Sequence, residues 1–257
     1  MLGAITGDII GSWYEFRNIK VKDFQPLFHK GSKFTDDTVC TVAVADALVN
    51  GLDPVVTLQR WCCGYWSNGG WGQRFNLWLA DDDPQPYNSW GNGAAMRVSA
   101  AGLLGTCLEH ALDMAYQVTV ITHNHPEGIK AAQATAAAIW MARQRLDAPR
   151  IRQKLTEMFD YRLDMTVDDI RPGYKFTEAS KDSVPQALVC ALEATDFEDA
   201  VRNAVSIGGD SDTIAAIAGS VAEARFGIPD DVAAKTWSYL PVDMRAVLTT
   251  LYRKSQS

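Results

Sequence analysis

Apolar residues recur at helical spacing, three or four apart, through almost the whole of this chain, and no stretch alternates convincingly with polar residues as a strand would. Alanine reinforces the pattern: AAQATAAAIWMA at residues 131–142 and IAAIAGSVAEA at residues 214–224 are rich in the strongest helix former. The expectation is an all-α protein of many short helices. Periodicity is clearest over about 36–50, 92–105, 126–146, 184–194, 196–206, 211–226 and 241–254, and weaker over about 2–12, 54–66, 108–121, 148–158 and 230–237. Cap chemistry agrees with these limits. Gly51 and Gly227 follow helices, Asp53-Pro54 and His125-Pro126 open them, and Pro229 ends the approach to another. Two long irregular stretches interrupt the pattern, residues 67–91 and 160–182. Loops of that length usually carry function or are disordered. The first, rich in Trp and Gly, reads as a ligand-facing loop, and the second as a lid or plain surface.

The chain has 257 residues and no linker, so a single domain over 1–257 is expected. Lys and Arg number 24 against 31 Asp and Glu, a net charge of −7, and no basic stripe gathers with aromatics, which disfavours nucleic acid as a partner. No stretch approaches the roughly 18 apolar residues of a membrane span, and the start MLGAITGDIIGSWYEF has no basic segment leading into a long apolar core. Five cysteines, Cys40, Cys62, Cys63, Cys107 and Cys190, form no C-x-x-C pair and lie mostly among apolar neighbours. A reducing cytoplasm is the expected compartment.

Against this background the segment GGDSDTIAAIAG at residues 208–219 is anomalous, because it sets two carboxylates at the mouth of an apolar helix. Helix capping accounts for one of them: Asp210 would accept from the free N–H groups of the first turn, and Asp212 would favour the positive end of the helix dipole. The same device occurs earlier, where FTDDT at residues 34–38 precedes VCTVAVADAL. Surplus buried anions are costly unless something positive neutralises them. Two such helix starts facing each other would gather up to four carboxylates, for which hard, oxygen-seeking Mg²⁺ or Mn²⁺ is the natural counter-charge. Paired structural caps and dinuclear metal binding both remain open at this point.

Spacing removes several other readings. Counted from Asp210, the glycine and glutamate positions of an EF-hand hold Ala215 and Val221. His123-x-His125 has no H-E-x-x-H and no cysteine pair beside it, which leaves zinc unsupported. GDIIGS at residues 7–12 has too few glycines for a dinucleotide fingerprint and no strand before it.

Five segments in order resemble the ADP-ribosylglycohydrolases: GDIIGSWYE at 7–15, FTDDT at 34–38, SWGNGAAMRVSAAGLL at 89–104, ITHNHPEGIKAAQATAAAI at 121–139 and IGGDSDTIAAIAGSVAEARFG at 207–227. The resemblance implies an orthogonal multi-helix bundle with two Mg²⁺ or Mn²⁺ ions in a central cleft. Carried over by motif, the metal ligands would be Thr35, Asp36, Asp37, Asp210, Asp212 and Thr213. A glutamate near the metals would be Glu15, forming the catalytic group with Asp36, Asp37 and Asp212; read without the family, Glu15 is an exposed residue after an amphipathic helix. Ser89, Trp90, Gly91, Asn92 and Gly93 look like a phosphate-binding loop, and glycines there would allow close backbone approach to an anion. His123 and His125 fall in the segment used near the adenosine end, with His125 the candidate contact. Trp71, Phe75, Tyr87 and Trp90 are all candidates to stack on adenine.

The implied activity is metal-dependent hydrolysis that releases ADP-ribose from mono-ADP-ribosylated protein side chains, with the arginine linkage favoured. The alternatives are an O-linked substrate, ADP-ribosyl-serine or O-acetyl-ADP-ribose, and a catalytically inactive ADP-ribose-binding or structural relative.

Overall fold

The computed structural model describes residues 1–255, so the last two residues of the expected domain lie outside the described range. The chain folds as helices α1 (Leu2–Gly11), α2 (Asp36–Asn50), α3 (Pro54–Gly64), α4 (Gln73–Leu79), α5 (Gly93–Arg97), α6 (Ser99–Leu104), α7 (Leu108–Thr119) and α8 (Pro126–Arg143). It continues through α9 (Ala148–Phe159), α10 (Val167–Ile170), α11 (Ser180–Glu193), α12 (Phe197–Ile207), α13 (Ser211–Phe226), α14 (Asp230–Tyr239) and α15 (Val242–Ser255). Among the described residues the one extended pairing is a single antiparallel bridge between Gly91 and Ala179. None of these helices is long and apolar enough to cross a membrane.

The core is organised around α13, which is buried from Ser211 to Ala222 and packs against α1, α8, α11 and α12. Its contact with α1 is the closest, and sequence explains why. Gly3, Gly7 and Gly11 recur every four residues and so share one face of α1. A Cβ at Gly7 would lie 1.9 Å from the Ala215 carbonyl oxygen, and one at Gly3 2.3 Å from that of Gly219. Gly11 faces Ser211 and Asp212 in the same way, so the two helices run antiparallel with their backbones touching. Ile5, Ile9, Ile10, Ile214, Ile217 and Val221 are buried around this contact. Each such side chain contributes about 1.5–3 kcal/mol by leaving water. The contact places the end of α1 beside the start of α13, where the acidic motifs lie.

Caps follow the sequence. Thr35 caps α2 by accepting from the Asp37 amide, Asp53 caps α3 and His125 caps α8, each of the latter two with Pro in the first turn. Gly51 closes α2 in the left-handed conformation, at φ +63°.

Four expectations need correction. The helix expected over 92–105 is two, α5 and α6, because the Thr41 hydroxyl donates to the Met96 carbonyl at 3.3 Å and Val98 turns between them. The stretch 67–91 is not irregular throughout: it holds α4, a short helix that glycines on its N-terminal side conceal. Likewise 160–182 contains α10, nucleated by a capping box in which Thr166 and Asp169 bond each other's backbone amides. Helix α11 begins at Ser180, not near Pro185, and carries that proline inside it. The donor lost at Pro185 would have served the carbonyl of Lys181, an exposed residue.

All five cysteines are free thiols; Cys40, Cys62 and Cys190 are buried, while Cys63 and Cys107 are exposed.

Candidate functional site

The starts of α2 and α13 meet. The Thr213 hydroxyl donates to Asp37 Oδ2 at 2.9 Å, joining the two acidic motifs directly. Asp37, Asp210, Asp212, Thr35 and Thr213 are all buried, and Asp36 is half-buried. Asp210 occupies the N-cap position of α13 but makes no cap bond; its carboxylate accepts instead from Asn92 Nδ2 at 2.8 Å. The capping role expected for it is therefore not the one it plays. Asp36 Oδ1 accepts from the Gly70 amide at 2.9 Å, which brings the 67–91 segment to the edge of the cluster.

Glu15 joins from the turn after α1. Its carboxylate oxygen and those of Asp210 and Asp212 lie within 4.8 Å of one another, and the residue is half-buried, not exposed. Asn18 fixes that turn. Its side chain donates to the Tyr14, Glu15 and Gly209 carbonyls and accepts from the Gly209 amide at 2.6 Å. Gly208 and Gly209 adopt φ of +71° and +77°, a conformation that L side chains rarely adopt, so the loop leading into α13 depends on glycine.

The sequence expectations gave no role to Asp8, although its segment figured both as a failed nucleotide fingerprint and within the GDIIGSWYE motif. Fully buried on α1, it accepts from the Thr35 amide at 2.9 Å and hydroxyl at 2.7 Å, from the Thr38 amide at 3.1 Å, and from the Thr38 hydroxyl. A charged residue in an otherwise apolar helix was the available signal. Because the Thr35 proton is committed to Asp8 and the oxygen accepts from the Asp37 amide at 3.2 Å, one lone pair of that hydroxyl remains to ligate.

Electrostatically the cluster is under-compensated. Burial pushes the Asp37 and Asp212 carboxyls well above the usual range, and neighbouring carboxylates push them further. Burial raises Asp36 and Asp210 as well, and Asp8 to about 6. Glu15 rises to about 7, first by burial and then by the charges of Asp210, Asp36 and Asp8. Among the described residues no lysine or arginine forms an ion pair with any of them. Hydroxyl and carboxylate oxygens converging without a cation form the donor set a hard divalent ion takes.

The Ser89–Gly93 loop borders the cluster through Asn92. It is held from outside: the Asn92 amide donates to the Glu178 carbonyl at 2.8 Å, and Ser180 donates to the Trp90 and Gly91 carbonyls at 3.1 and 2.6 Å. Helix α5 is barely one turn, and the Ser89, Gly91 and Asn92 amides are taken by the Thr122 carbonyl, the Ser89 hydroxyl and the Glu178 carbonyl, which leaves the Trp90 and Gly93 amides as the loop's uncommitted donors among the described residues. Trp90 projects from it, 52% exposed. Of the other candidate aromatics, Tyr87 lies 6.2 Å from the His123 ring, while Trp71 packs with Trp66 and Phe75. His125 uses Nδ1 to accept from the Glu127 amide at 3.1 Å. His123 lies against the loop: a Cβ on Gly93 would meet its Nε2 at 3.4 Å.

The model of the family described as ADP-ribosylglycohydrolase matches residues 1–254. The chain belongs to that family. As an ADP-ribosylglycohydrolase it is an enzyme that hydrolyses ADP-ribosyl linkages, and the family's dependence on metal agrees with the uncompensated carboxylates. It is 25% identical over 284 aligned positions to the ADP-ribosylarginine hydrolase Tri1 of Pseudomonas putida, covering 93% of this chain and 73% of that one. With the human ADP-ribosylhydrolase ARH3 it shares 24% identity over 316 positions, covering 92% and 86%. A solved structure titled ADP-ribosylglycohydrolase-related protein complex superposes with a TM-score of 0.74 at 23% identity, over 99% of this chain and 97% of that one. That likeness supports the all-α architecture.

Proposed function

We propose that this ADP-ribosylglycohydrolase releases ADP-ribose from mono-ADP-ribosylated protein side chains, with arginine as the favoured attachment, and that two Mg²⁺ or Mn²⁺ ions serve the reaction. The observation that carries the metal-dependent reading is the contact of Asp37 with Thr213, which gathers two helix starts' worth of oxygen ligands into one buried cluster. Thr35, Asp36, Asp37, Asp210, Asp212 and Thr213 would hold the ions. When bound, such ions would supply Lewis-acid polarisation, orient the ribose and lower the pKa of water.

The chain's own groups supply the rest. The Trp90 and Gly93 amides of the Ser89–Gly93 loop, which the loop's own bonds do not use, bind the diphosphate and hold the distal ribose against the cluster. Asn92 orients Asp210 through its 2.8 Å bond. Water attacks the anomeric carbon of the distal ribose as the bond to the guanidino nitrogen breaks, and the proton lost by water is returned to that nitrogen. Glu15 is the group to move it: its carboxylate lies with those of Asp210 and Asp212 within 4.8 Å, beside the residues that would hold the ions and within reach of a water they orient. Positive charge on the ribose in an oxocarbenium-like transition state is stabilised by the surrounding carboxylates.

Support for the arginine linkage is the likeness to a relative named for that activity. A panel of arginine-linked, serine-linked and acetyl-linked ADP-ribose, assayed with and without Mg²⁺ or Mn²⁺, tests the reading. Turnover of the arginine conjugate that vanishes with chelator supports it. Preference for the serine or acetyl conjugate overturns the linkage, and turnover that chelator leaves unchanged overturns the metal.

A further inference from the structure

Arg97, the last residue of α5, is 2% exposed, and among the described residues no carboxylate pairs with it. Its Nε has no partner at all. One terminal nitrogen reaches the Val118 carbonyl at 3.5 Å and Thr122 Oγ1 at 2.7 Å. A buried cation left this way is expensive, and its position calls for a reason.

The reason lies one bond further on. Arginine only donates, so Thr122 Oγ1 accepts from it and keeps a single proton to give. His123 Nδ1 lies 2.8 Å from that oxygen and is the acceptor within reach. Nδ1 is then bare, and Nε2 carries the ring hydrogen. Nε2 stands over the glycine loop, 3.4 Å from where a Cβ on Gly93 would be and 3.8 Å from one on Gly91, and no described group takes its bond. His123 itself is 5% exposed, so this is a buried ring whose one unbonded donor faces the loop. Burial, and then the Arg97 charge, hold the imidazole neutral by keeping its pKa well below the usual value.

We infer that Arg97, acting through Thr122, locks His123 as the Nε2–H tautomer and so presents a fixed donor above the Gly91–Gly93 loop to an anionic oxygen of the bound nucleotide. This rests on the ADP-ribose reading above for the identity of the ligand. All donors in the chain point one way, from guanidinium to hydroxyl to imidazole to anion, an alignment in which each bond polarises the next. Arg97 and Thr122 are positioning residues; His123 touches the ligand. The glycines at 91 and 93 leave the space under Nε2 that a diphosphate oxygen would fill.

Nitrogen-15 NMR of the histidine rings, in protein labelled at histidine and assigned with His123→Gln, reads the tautomer without ligand. The full chain should show His123 protonated at Nε2, Thr122→Val should shift it toward a mixture with Nδ1–H, and Thr122→Ser should restore it. Calorimetry with ADP-ribose in saturating Mg²⁺ should show about a tenfold loss of affinity in Thr122→Val. Adenosine, which lacks the anion, should be affected far less. A wild-type ring protonated at Nδ1 overturns the inference, as does a Thr122→Val protein with unchanged tautomer, or equal losses for ADP-ribose and adenosine. Failure of the wild-type chain to bind ADP-ribose would instead overturn the functional reading and the anion with it, while the tautomer still decides the relay.

Discussion

Thr213 donates its hydroxyl proton to Asp37 at 2.9 Å, although 176 residues separate them in the chain. The bond spans the mouths of two buried helices, α2 and α13, each of which opens on two aspartates. Helix dipoles at both mouths disfavour a cation, so the carboxylates must more than offset them. Each consequence below follows from that crowding or from the packing that creates it.

Without metal, the protein should be more stable in mild acid than in mild alkali. Asp8 and Glu15, raised to about 6 and 7, and Asp37 and Asp212, raised well above the carboxylate range, all bind protons more tightly folded than unfolded. The folded chain therefore holds extra protons from about pH 4 upward, and their stabilisation is lost as pH rises through about 6 to 7. Melting of chelator-treated protein should fall between about pH 5 and about pH 8. Saturating Mn²⁺ should reverse the trend, because metal competes with the same protons.

Asp8→Asn should weaken Mg²⁺ or Mn²⁺ binding by about 10–100-fold, the usual effect of removing a group that orients a ligand. The amide cannot accept on both sides from Thr35 and Thr38, so the Thr35 hydroxyl loses its fixed direction. Titration calorimetry on the folded variant reads this directly, and unchanged affinity would remove Asp8 from the site.

Glu15→Gln should lower kcat by about 10²–10⁴-fold, the range for a positioned acid or base. The pH profile of kcat should lose the step that Glu15 imposes. Steady-state kinetics across pH on a defined arginine conjugate checks both.

Gly7→Ala should destabilise the fold by about 3 kcal/mol, since the added Cβ would sit 1.9 Å from the Ala215 carbonyl oxygen and the helices must part. Gly64→Ala is the control. Nothing lies within 4 Å of a Cβ there, so urea denaturation should find it neutral or slightly stabilised.

How much of this was legible depended on whether a residue's meaning was local. The two acidic motifs stood out because carboxylates before apolar, alanine-rich helices need a counter-charge wherever they end up. The helices were legible from their apolar spacing, apart from α4 behind its glycines, α10 with its capping box, the break between α5 and α6, and the start of α11 before its proline. Asp8 acts through tertiary contacts with α2, and Asn18 joins its own turn to the Gly209 loop, so a charge within an apolar helix hinted at Asp8 while its partners, and those of Asn18 beyond its own turn, left no trace in the spacing. The histidines show the same limit. His125 is placed by its own helix, as the following Pro126 suggests, whereas the environment of His123 is made by Arg97 and the glycine loop. The α1–α13 packing was written in Gly3, Gly7 and Gly11, but only a partner helix gives that repeat its meaning.

The central claim is that Thr35–Asp37 and Asp210–Thr213 together hold a pair of divalent ions. Crystals soaked in Mn²⁺ and measured at its absorption edge test it most directly. The account predicts two anomalous peaks between the mouths of α2 and α13, each within coordinating distance of carboxylates from that cluster, and their loss in Asp212→Ala. A map with no peak there, or with ions bound at one motif alone and retained in that variant, would contradict it.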